Sequence, residues 1–151
     1  MPDKNILVLC TGNSARSIMA EAILRKYVGQ NFNIHSAGLE PKGVNPFTLS
    51  VLREMGYELS VFKSKGVGDF LGKMSFEYVI FVCERAEKSC PVTFPGTLAR
   101  LSWPFEDPAA FEGSDAAKIE RFREIYGRIE GKIKSWVEES KEFKNRVKQE
   151  R

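Results

Sequence analysis

The segment CTGNSARS, from Cys10 to Ser17, holds the residues best suited to chemistry. It follows an apolar run typical of a buried strand and precedes a helical pattern, which predicts a loop that ends at a helix N-terminus. Such a loop directs several backbone N–H groups at one point and, with the helix dipole, forms an anion site. Gly12 permits a tight turn, Asn13 tolerates left-handed dihedrals, and the planar fork of Arg16 fits a tetrahedral oxyanion. The residues predicted to bind this oxyanion are Thr11, Gly12, Asn13, Ser14, Ala15, Arg16 and Ser17.

Cys10 stands at the base of this predicted site, which suggests that it is a nucleophile. The field that binds an oxyanion also stabilises a thiolate, so we expect the pKa of Cys10 to fall below its ordinary value of about 8.5. Ser17 could donate a hydrogen bond to the sulfur. A thiolate beneath a bound oxyanion is poised for in-line attack. The alternative is an oxyanion-binding or sensing domain in which Cys10 is inert.

The apolar patterns along the chain predict strands that alternate with helices. Short apolar runs predict buried strands at 5–9, 32–36, 76–83 and 98–103. Helical spacing predicts helices at about 15–28, 45–56 and 114–147. This alternation predicts an α/β fold, a three-layer α/β/α arrangement with a central four-stranded parallel sheet.

Three segments with reactive side chains lie at or just after the ends of predicted strands. In parallel sheets of this kind, ligands bind at the carboxyl ends of the strands. Cys10 ends the first predicted strand, Cys83 ends the third, and Asp107 follows the fourth, so we expect them to meet at one edge. The pair Asp107-Pro108 is also a common helix start, with aspartate as the N-cap. This capping role is compatible with a chemical role at the same edge.

Composition and charge argue against several classes of protein. The chain has 151 residues and a net charge of +3 with both signs interspersed, so we expect a single domain over 1–151 and no nucleic-acid partner. No apolar run approaches the length of a membrane span and no leader pattern opens the chain, so we expect a cytoplasmic protein without a membrane partner. Three cysteines are too few for a disulfide framework. We also expect a monomer that needs no cofactor.

The motifs together resemble a known superfamily. CTGNSARS followed by MAE, then HSAG, then the DP of WPFEDPA, is similar to the low-molecular-weight protein tyrosine phosphatases and, among them, to the thioredoxin-coupled arsenate reductases. The resemblance implies that family's fold, with Cys10 as nucleophile, Arg16 as oxyanion ligand and Asp107 as the acid that protonates the leaving oxygen. Such an acid needs a raised pKa, and we expect desolvation by three apolar neighbours, Trp103, Phe105 and Phe111.

The two further cysteines indicate the reductase subgroup. By themselves, Cys83 and Cys90 also fit a buried structural thiol and an incidental surface thiol. Reduction of As(V) to As(III) needs two electrons, which a second thiol supplies by attacking the Cys10 adduct, and a third thiol can move the disulfide away from the pocket. The resemblance places this relay at Cys10, Cys83 and Cys90, with arsenate as substrate and a thioredoxin-like protein as reductant.

A phosphotyrosine phosphatase is the second hypothesis. Cys10, Arg16 and Asp107 would perform the same first half-reaction, and water would hydrolyse the phosphocysteine. The superfamily's phosphatases usually carry tyrosine after Asp-Pro, where this chain has Ala109-Ala110, and they have no need of two further thiols. The reductase hypothesis is therefore favoured, with some residual phosphatase activity expected from the shared loop.

The resemblance also bears on a cation site behind the loop. Some family reductases bind a potassium ion there, using residues that match Asn13, Glu21 and Ser36. The fourth, acidic ligand is matched here by Lys65, whose ammonium could replace the charge of the cation. No cysteine–histidine spacing suggests another metal site, so we expect no metal.

A Cys83–Cys90 disulfide requires the chain between the two cysteines to rearrange. If 84–90 were regular helix, a rise of about 1.5 Å per residue would separate the two Cα atoms by roughly 10 Å. A disulfide tolerates a Cα separation of only about 7 Å. We therefore expect oxidation to unwind or loop out the segment over roughly 83–95.

Overall fold

A computed structural model describes residues 3–70, 72–89, 97 and 99–140. In this part of the chain, four parallel strands form one sheet in the order β2-β1-β3-β4. The strands are β1 (Asn5–Cys10), β2 (Asn33–Gly38), β3 (Tyr78–Phe81) and β4 (Ala99–Ser102). Because β1 lies between β2 and β3, the loop that follows β1 opens near the centre of the carboxyl edge of the sheet.

The described residues also form four α-helices: α1 (Arg16–Val28), α2 (Pro46–Glu54), α3 (Glu84–Ser89) and α4 (Asp115–Glu139). Side-chain caps explain two of the starts, since Asn45 accepts a hydrogen bond from the N–H of Phe47 and Ser114 accepts one from that of Ala117. Helices α1, α2 and α4 pack on one another, and α1 also packs on β1 and β2. Helix α3 packs against β1 and β3.

The core lies on both faces of β1. Successive strand residues point to opposite faces, yet four in a row are fully buried: Ile6, Leu7, Val8 and Leu9. Only a sheet covered on both sides buries such a run, which confirms the predicted parallel α/β fold. No helix among the described residues has the length and apolar character to cross a membrane.

The third strand ends earlier than its apolar pattern predicts. Strand β3 stops at Phe81, and the chain then turns so that the carbonyl of Cys83 accepts a hydrogen bond from the N–H of Glu87. Cys83 therefore stands at the start of α3 instead of at the end of a strand. The last helix is described as far as Glu139, and its predicted extension to Val147 lies outside the described residues.

Gly38, at the end of β2, lies directly against the loop that follows β1. A Cβ built on it would be 2.7 Å from the backbone nitrogen of Asn13 and 2.7 Å from the carbonyl oxygen of Thr11. Both are backbone atoms, which cannot rotate away as a side chain can. The position therefore requires glycine for the close approach of two backbones.

We expect Gly38→Ala to lower the free energy of unfolding by about 1–3 kcal/mol, the usual cost of overpacking. Gly127→Ala is the matched control, because nothing lies within 4 Å of the added methyl group and alanine favours the helix; it should be neutral or slightly stabilising. Urea unfolding of the two variants and the wild type measures the difference. Equal stability of Gly38→Ala and the wild type would contradict the close contact.

Candidate active site

The loop from Cys10 to Ser17 forms the floor of a cavity of about 590 Å³ at the carboxyl edge of the sheet. Cys10 is the last residue of β1, and Arg16 is the first residue of α1. The segments that follow β3 and β4 bring Cys83 and Asp107 to the same cavity. The structure thus gathers side chains that are far apart in the sequence around one space.

Asn13 sets the shape of the loop. Its φ of 45° is left-handed, a conformation that asparagine tolerates better than most residues. Its side chain is fully buried, and Nδ2 donates hydrogen bonds to Ser17 Oγ (2.8 Å) and Ser36 Oγ (2.9 Å). The loop is therefore held from behind, by α1 and by β2.

The predicted oxyanion-binding residues divide into two groups. Five of the seven line the cavity: Thr11, Gly12, Ser14, Ala15 and Arg16. The side chains of Asn13 and Ser17 are fully buried and bond to each other behind the loop. What Asn13 and Ser17 can offer an oxyanion is therefore their backbone N–H groups.

Two hydroxyl groups that could not be identified from the sequence support the loop by hydrogen bonds. Thr48 Oγ1 donates to the carbonyl of Ser14 (3.1 Å), and Ser64 Oγ donates to the carbonyl of Gly12 (3.3 Å). These bonds engage carbonyl groups and so favour a loop whose N–H groups turn toward the cavity. Neither residue belongs to a motif, so no local signal could have identified it.

The rim of the cavity carries both signs of charge. Lys42 and Arg85 line it, and so do Glu84 and Glu106. Arg85 also lies 3.6 Å from Glu40 in an exposed ion pair. The attraction for an anion is therefore concentrated on the floor, at Arg16 and the loop amides, and not on the rim.

Arg16 is held by the segment after β4. Its Nη1 donates to the carbonyl of Phe105 (3.0 Å), and its Nη2 lies 3.8 Å from Asp107 Oδ2. Asp107 Oδ1 accepts a hydrogen bond from the N–H of Ala109, so Asp107 also caps a short 3₁₀ turn, as its sequence context suggests. The Asp107 side chain is 43% exposed; the expected enclosure by apolar neighbours is wrong.

Cys10 and Cys83 lie together at the base of the cavity, where each shifts the pKa of the other. Both are buried and unoxidised. Thr11 Oγ1 lies 3.4 Å from Cys83 Sγ, and the backbone N–H of Ala86 donates to the same sulfur at 3.4 Å. Cys83 thus sits where a hydroxyl group and the first turn of α3 both favour a negative sulfur.

The two thiols share one proton near neutral pH. The hydrogen bond with Cys10 lowers the pKa of Cys83 to about 5, against the effect of burial and with help from Thr11, Ala86 and the charge of Arg16. The same bond, followed by burial, raises the pKa of Cys10, while Arg16 acts to lower it. The lowered pKa, which the sequence predicts for Cys10, is therefore shared by Cys10 and Cys83. The first ionisation belongs to the pair as a unit.

One predicted site residue cannot be placed. Cys90 lies outside the described residues. Helix α3 begins directly after Cys83 and runs to Ser89. In this helical arrangement, a disulfide between Cys83 and Cys90 would require the segment to rearrange.

Known proteins resemble this chain along most of its length. The family described as low molecular weight phosphotyrosine protein phosphatase matches residues 5–149. The arsenate reductase of Halalkalibacterium halodurans is 38% identical over 141 residues, which cover 93% of this chain and 100% of that protein. A solved structure described as an arsenate reductase in the phosphate binding state is 26% identical with a TM-score of 0.68, covering 88% of this chain and 95% of that one. The thioredoxin-dependent arsenate reductase of Corynebacterium glutamicum is 30% identical with a TM-score of 0.60, covering 89% of this chain and 62% of that one.

The family match includes the loop at the end of β1, the start of α3 and the segment after β4 that contacts Arg16. They agree with the four-stranded parallel sheet and with the motifs on which the resemblance in the sequence was based. The chain belongs to the low molecular weight phosphotyrosine protein phosphatase family.

Proposed function

We propose that the protein is an arsenate reductase that uses Cys10, Cys83 and Cys90 in turn and is reduced again by a thioredoxin-like protein. The observation that carries the proposal is that Cys10 and Cys83 line the base of one cavity, together with Arg16. A phosphatase needs one nucleophile there. A second thiol beside the first is what a two-electron reduction requires.

Arsenate would bind over the loop, against the backbone N–H groups of residues 11–17 and the guanidinium of Arg16. The contact of Arg16 with the Phe105 carbonyl orients its planar fork before the anion arrives, which reduces the entropy lost on binding. The side chain of Arg16 is 14% exposed, so its charge is only partly screened by water.

Cys10 would make the first bond to arsenic. Its proton can pass along the hydrogen bond to Cys83, so that the negative charge of the pair moves to the attacking sulfur. An As–S bond forms and an As–O bond breaks. Asp107, whose Oδ2 lies 3.8 Å from Arg16 Nη2, would protonate the oxygen that leaves.

Cys83 would complete the reduction. Cys83 first loses to solvent the proton it took from Cys10, a loss that Thr11 and the N–H of Ala86 favour because they stabilise the thiolate. The thiolate then attacks the sulfur of Cys10. The S–S bond forms, the As–S bond breaks, and the electron pair of that bond stays on arsenic, which leaves as As(III). The thiolate of Cys90 then attacks Cys83. The Cys10–Cys83 bond breaks, Cys10 leaves as a thiolate, and thioredoxin reduces the resulting Cys83–Cys90 disulfide.

Phosphatase activity is the second candidate, because the family match and the trio of Cys10, Arg16 and Asp107 support it. The cavity lining at the position after Pro108 is Ala109, which offers no ring to stack on an aromatic substrate. We therefore expect hydrolysis of small aryl phosphates to be slow and arsenate reduction to be the main reaction.

We expect Cys83→Ser and Cys90→Ser each to abolish arsenate turnover, because each removes one step of electron transfer. NADPH oxidation in the presence of arsenate, thioredoxin and thioredoxin reductase measures this. Cys83→Ser should still hydrolyse an aryl phosphate, since without Cys83 the charge of Arg16 still acts to lower the pKa of Cys10. Normal arsenate turnover by both variants would refute the relay.

The shared proton predicts opposite shifts in two variants. In a Cys90→Ser background, thiolate absorbance at 240 nm should appear first with a pKa of about 5, well below the usual value of about 8.5, and a second thiolate only in alkali. Adding Cys83→Ser should lower the pKa of Cys10, because the bond that raises it is lost while Arg16 remains. Adding Cys10→Ser should raise the pKa of Cys83. Two thiols that titrate together near 8.5 would rule out the pair.

Asp107→Asn separates the two roles of Asp107. Asparagine is as good an N-cap as aspartate, so the turn should keep its bond to the N–H of Ala109 and the stability should change little. The loss of the acid should slow the first half-reaction by about 10²–10⁴-fold, measured as release of an aryl alcohol from its phosphate ester. Glu106→Gln, which changes the neighbouring exposed carboxylate, is the control and should retain most of the rate. An Asp107→Asn variant with the wild-type rate would exclude the acid role.

A further inference from the structure

A buried carboxylate lies directly behind the oxyanion loop, and the reaction described above does not use it. Glu21, on α1, is fully buried. Its Oε2 lies 2.9 Å from Arg25 Nη2, and its Oε1 lies 3.5 Å from Lys65 Nζ. A charge removed from water needs a partner of opposite sign, and this one has two cations from the chain itself.

Short hydrogen bonds connect this carboxylate to the loop. Ser36 Oγ donates to Glu21 Oε1 and accepts a hydrogen bond from Asn13 Nδ2. The same Asn13 Nδ2 donates to Ser17 Oγ, so the hydrogen of that hydroxyl must point elsewhere than to Asn13. A chain of hydrogen bonds therefore connects the carboxylate of Glu21 to Asn13, the loop residue with a left-handed backbone.

Lys65 contacts this network twice. Its ammonium lies beside Glu21 and also donates to the carbonyl of Lys63 at 2.6 Å. Its backbone N–H donates to Asn13 Oδ1 at 2.7 Å, and its carbonyl accepts the N–H of Gly38 at 2.8 Å. Holding the ammonium in place thus also holds the main chain that orients the Asn13 amide.

The residues present do not fit a potassium ion of the kind that the family resemblance implies. An alkali cation needs free oxygen ligands, but Asn13 Oδ1 already accepts the N–H of Lys65, and Ser36 Oγ is engaged as both donor and acceptor. The carboxylate of Glu21 is neutralised by two side chains. At position 65 the chain supplies a positive charge and no ligand oxygen from its side chain.

We propose that Lys65 is a positioning residue whose ammonium takes the place of an alkali cation behind the oxyanion loop. It balances Glu21 and so fixes the Ser36 and Asn13 contacts that shape the loop without any bound ion. The inference concerns the loop itself, which the reductase and phosphatase hypotheses share, and it does not depend on which of the two reactions the protein performs.

The experiment measures thermal unfolding of the full chain in potassium, sodium or choline chloride at equal ionic strength. The wild type should unfold at the same temperature in all three salts. Lys65→Asp leaves carboxylates facing each other, so its Tm in choline chloride should fall on the order of 5 °C or more. Potassium should restore much of this loss with a saturable dependence, because a cation between the added carboxylate and that of Glu21 would replace the lost positive charge.

Lys63→Asp is the matched control, since Lys63 is exposed and the change of charge is the same. It should unfold close to the wild-type temperature and should not respond to potassium. Lys65→Gln removes the charge without adding a carboxylate, so its Tm should fall less than that of Lys65→Asp. If Lys65→Asp does not fold, the Tm difference between Lys65→Gln and the wild type tests the proposal.

Binding of inorganic phosphate provides a second readout at the loop. By calorimetry, Lys65→Asp in choline chloride should bind phosphate roughly tenfold more weakly than the wild type, and potassium should recover most of the affinity, whereas Lys63→Asp should bind as the wild type does. A saturable potassium effect on the wild type would overturn the proposal. So would Lys65 variants that match the wild type in Tm and phosphate affinity, or a Lys65→Asp variant that potassium fails to rescue. Arsenate reduction enters neither measurement, so failure of the reductase hypothesis would leave these outcomes readable.

Discussion

The structure is organised around the need to keep negative charge stable on a loop at the end of β1. An oxyanion and a thiolate must lie close together there, at a floor where Cys10 and Cys83 are both buried. Backbone N–H groups can meet this need only if the loop holds an unusual conformation, with Asn13 left-handed. The amide of that residue is therefore tied to α1, to β2 and to the segment at Lys65, and Gly38 lets β2 approach closely enough to make this possible.

The contact between Cys10 and Cys83 changes what this loop can do. With one thiol, a bound oxyanion ends as an ester that water must cleave. With a second thiol beside it, the same adduct can be attacked at the sulfur of Cys10. A disulfide forms and the electron pair of the As–S bond stays on arsenic. The thiol pair provides the charge for the first attack, because the remaining proton can move from Cys10 to Cys83. The second attack requires Cys83 to lose that proton to solvent.

The fold could be predicted from the sequence where the apolar pattern was long and local. The fully buried run of β1 and the capped starts of α2 and α4 follow from residues within a few positions of each other. The end of β3 was predicted too late, because Val82 and Cys83 continue the apolar run while the backbone has already turned toward α3. Hydropathy does not distinguish a buried strand residue from a buried residue at the start of a helix.

The candidate site divides in the same way. The residue types of the loop by themselves determined that it would bind an anion, because turn conformation, helix start and guanidinium geometry depend on neighbours in the chain. The exposure of Asp107, the meeting of Cys83 with Cys10 and the pairing of Lys65 with Glu21 were decided only by the tertiary structure. Each depends on how segments far apart in the sequence meet when the strands pair in register. The pKa and charge balance of a buried group follow from those meetings and not from its immediate neighbours.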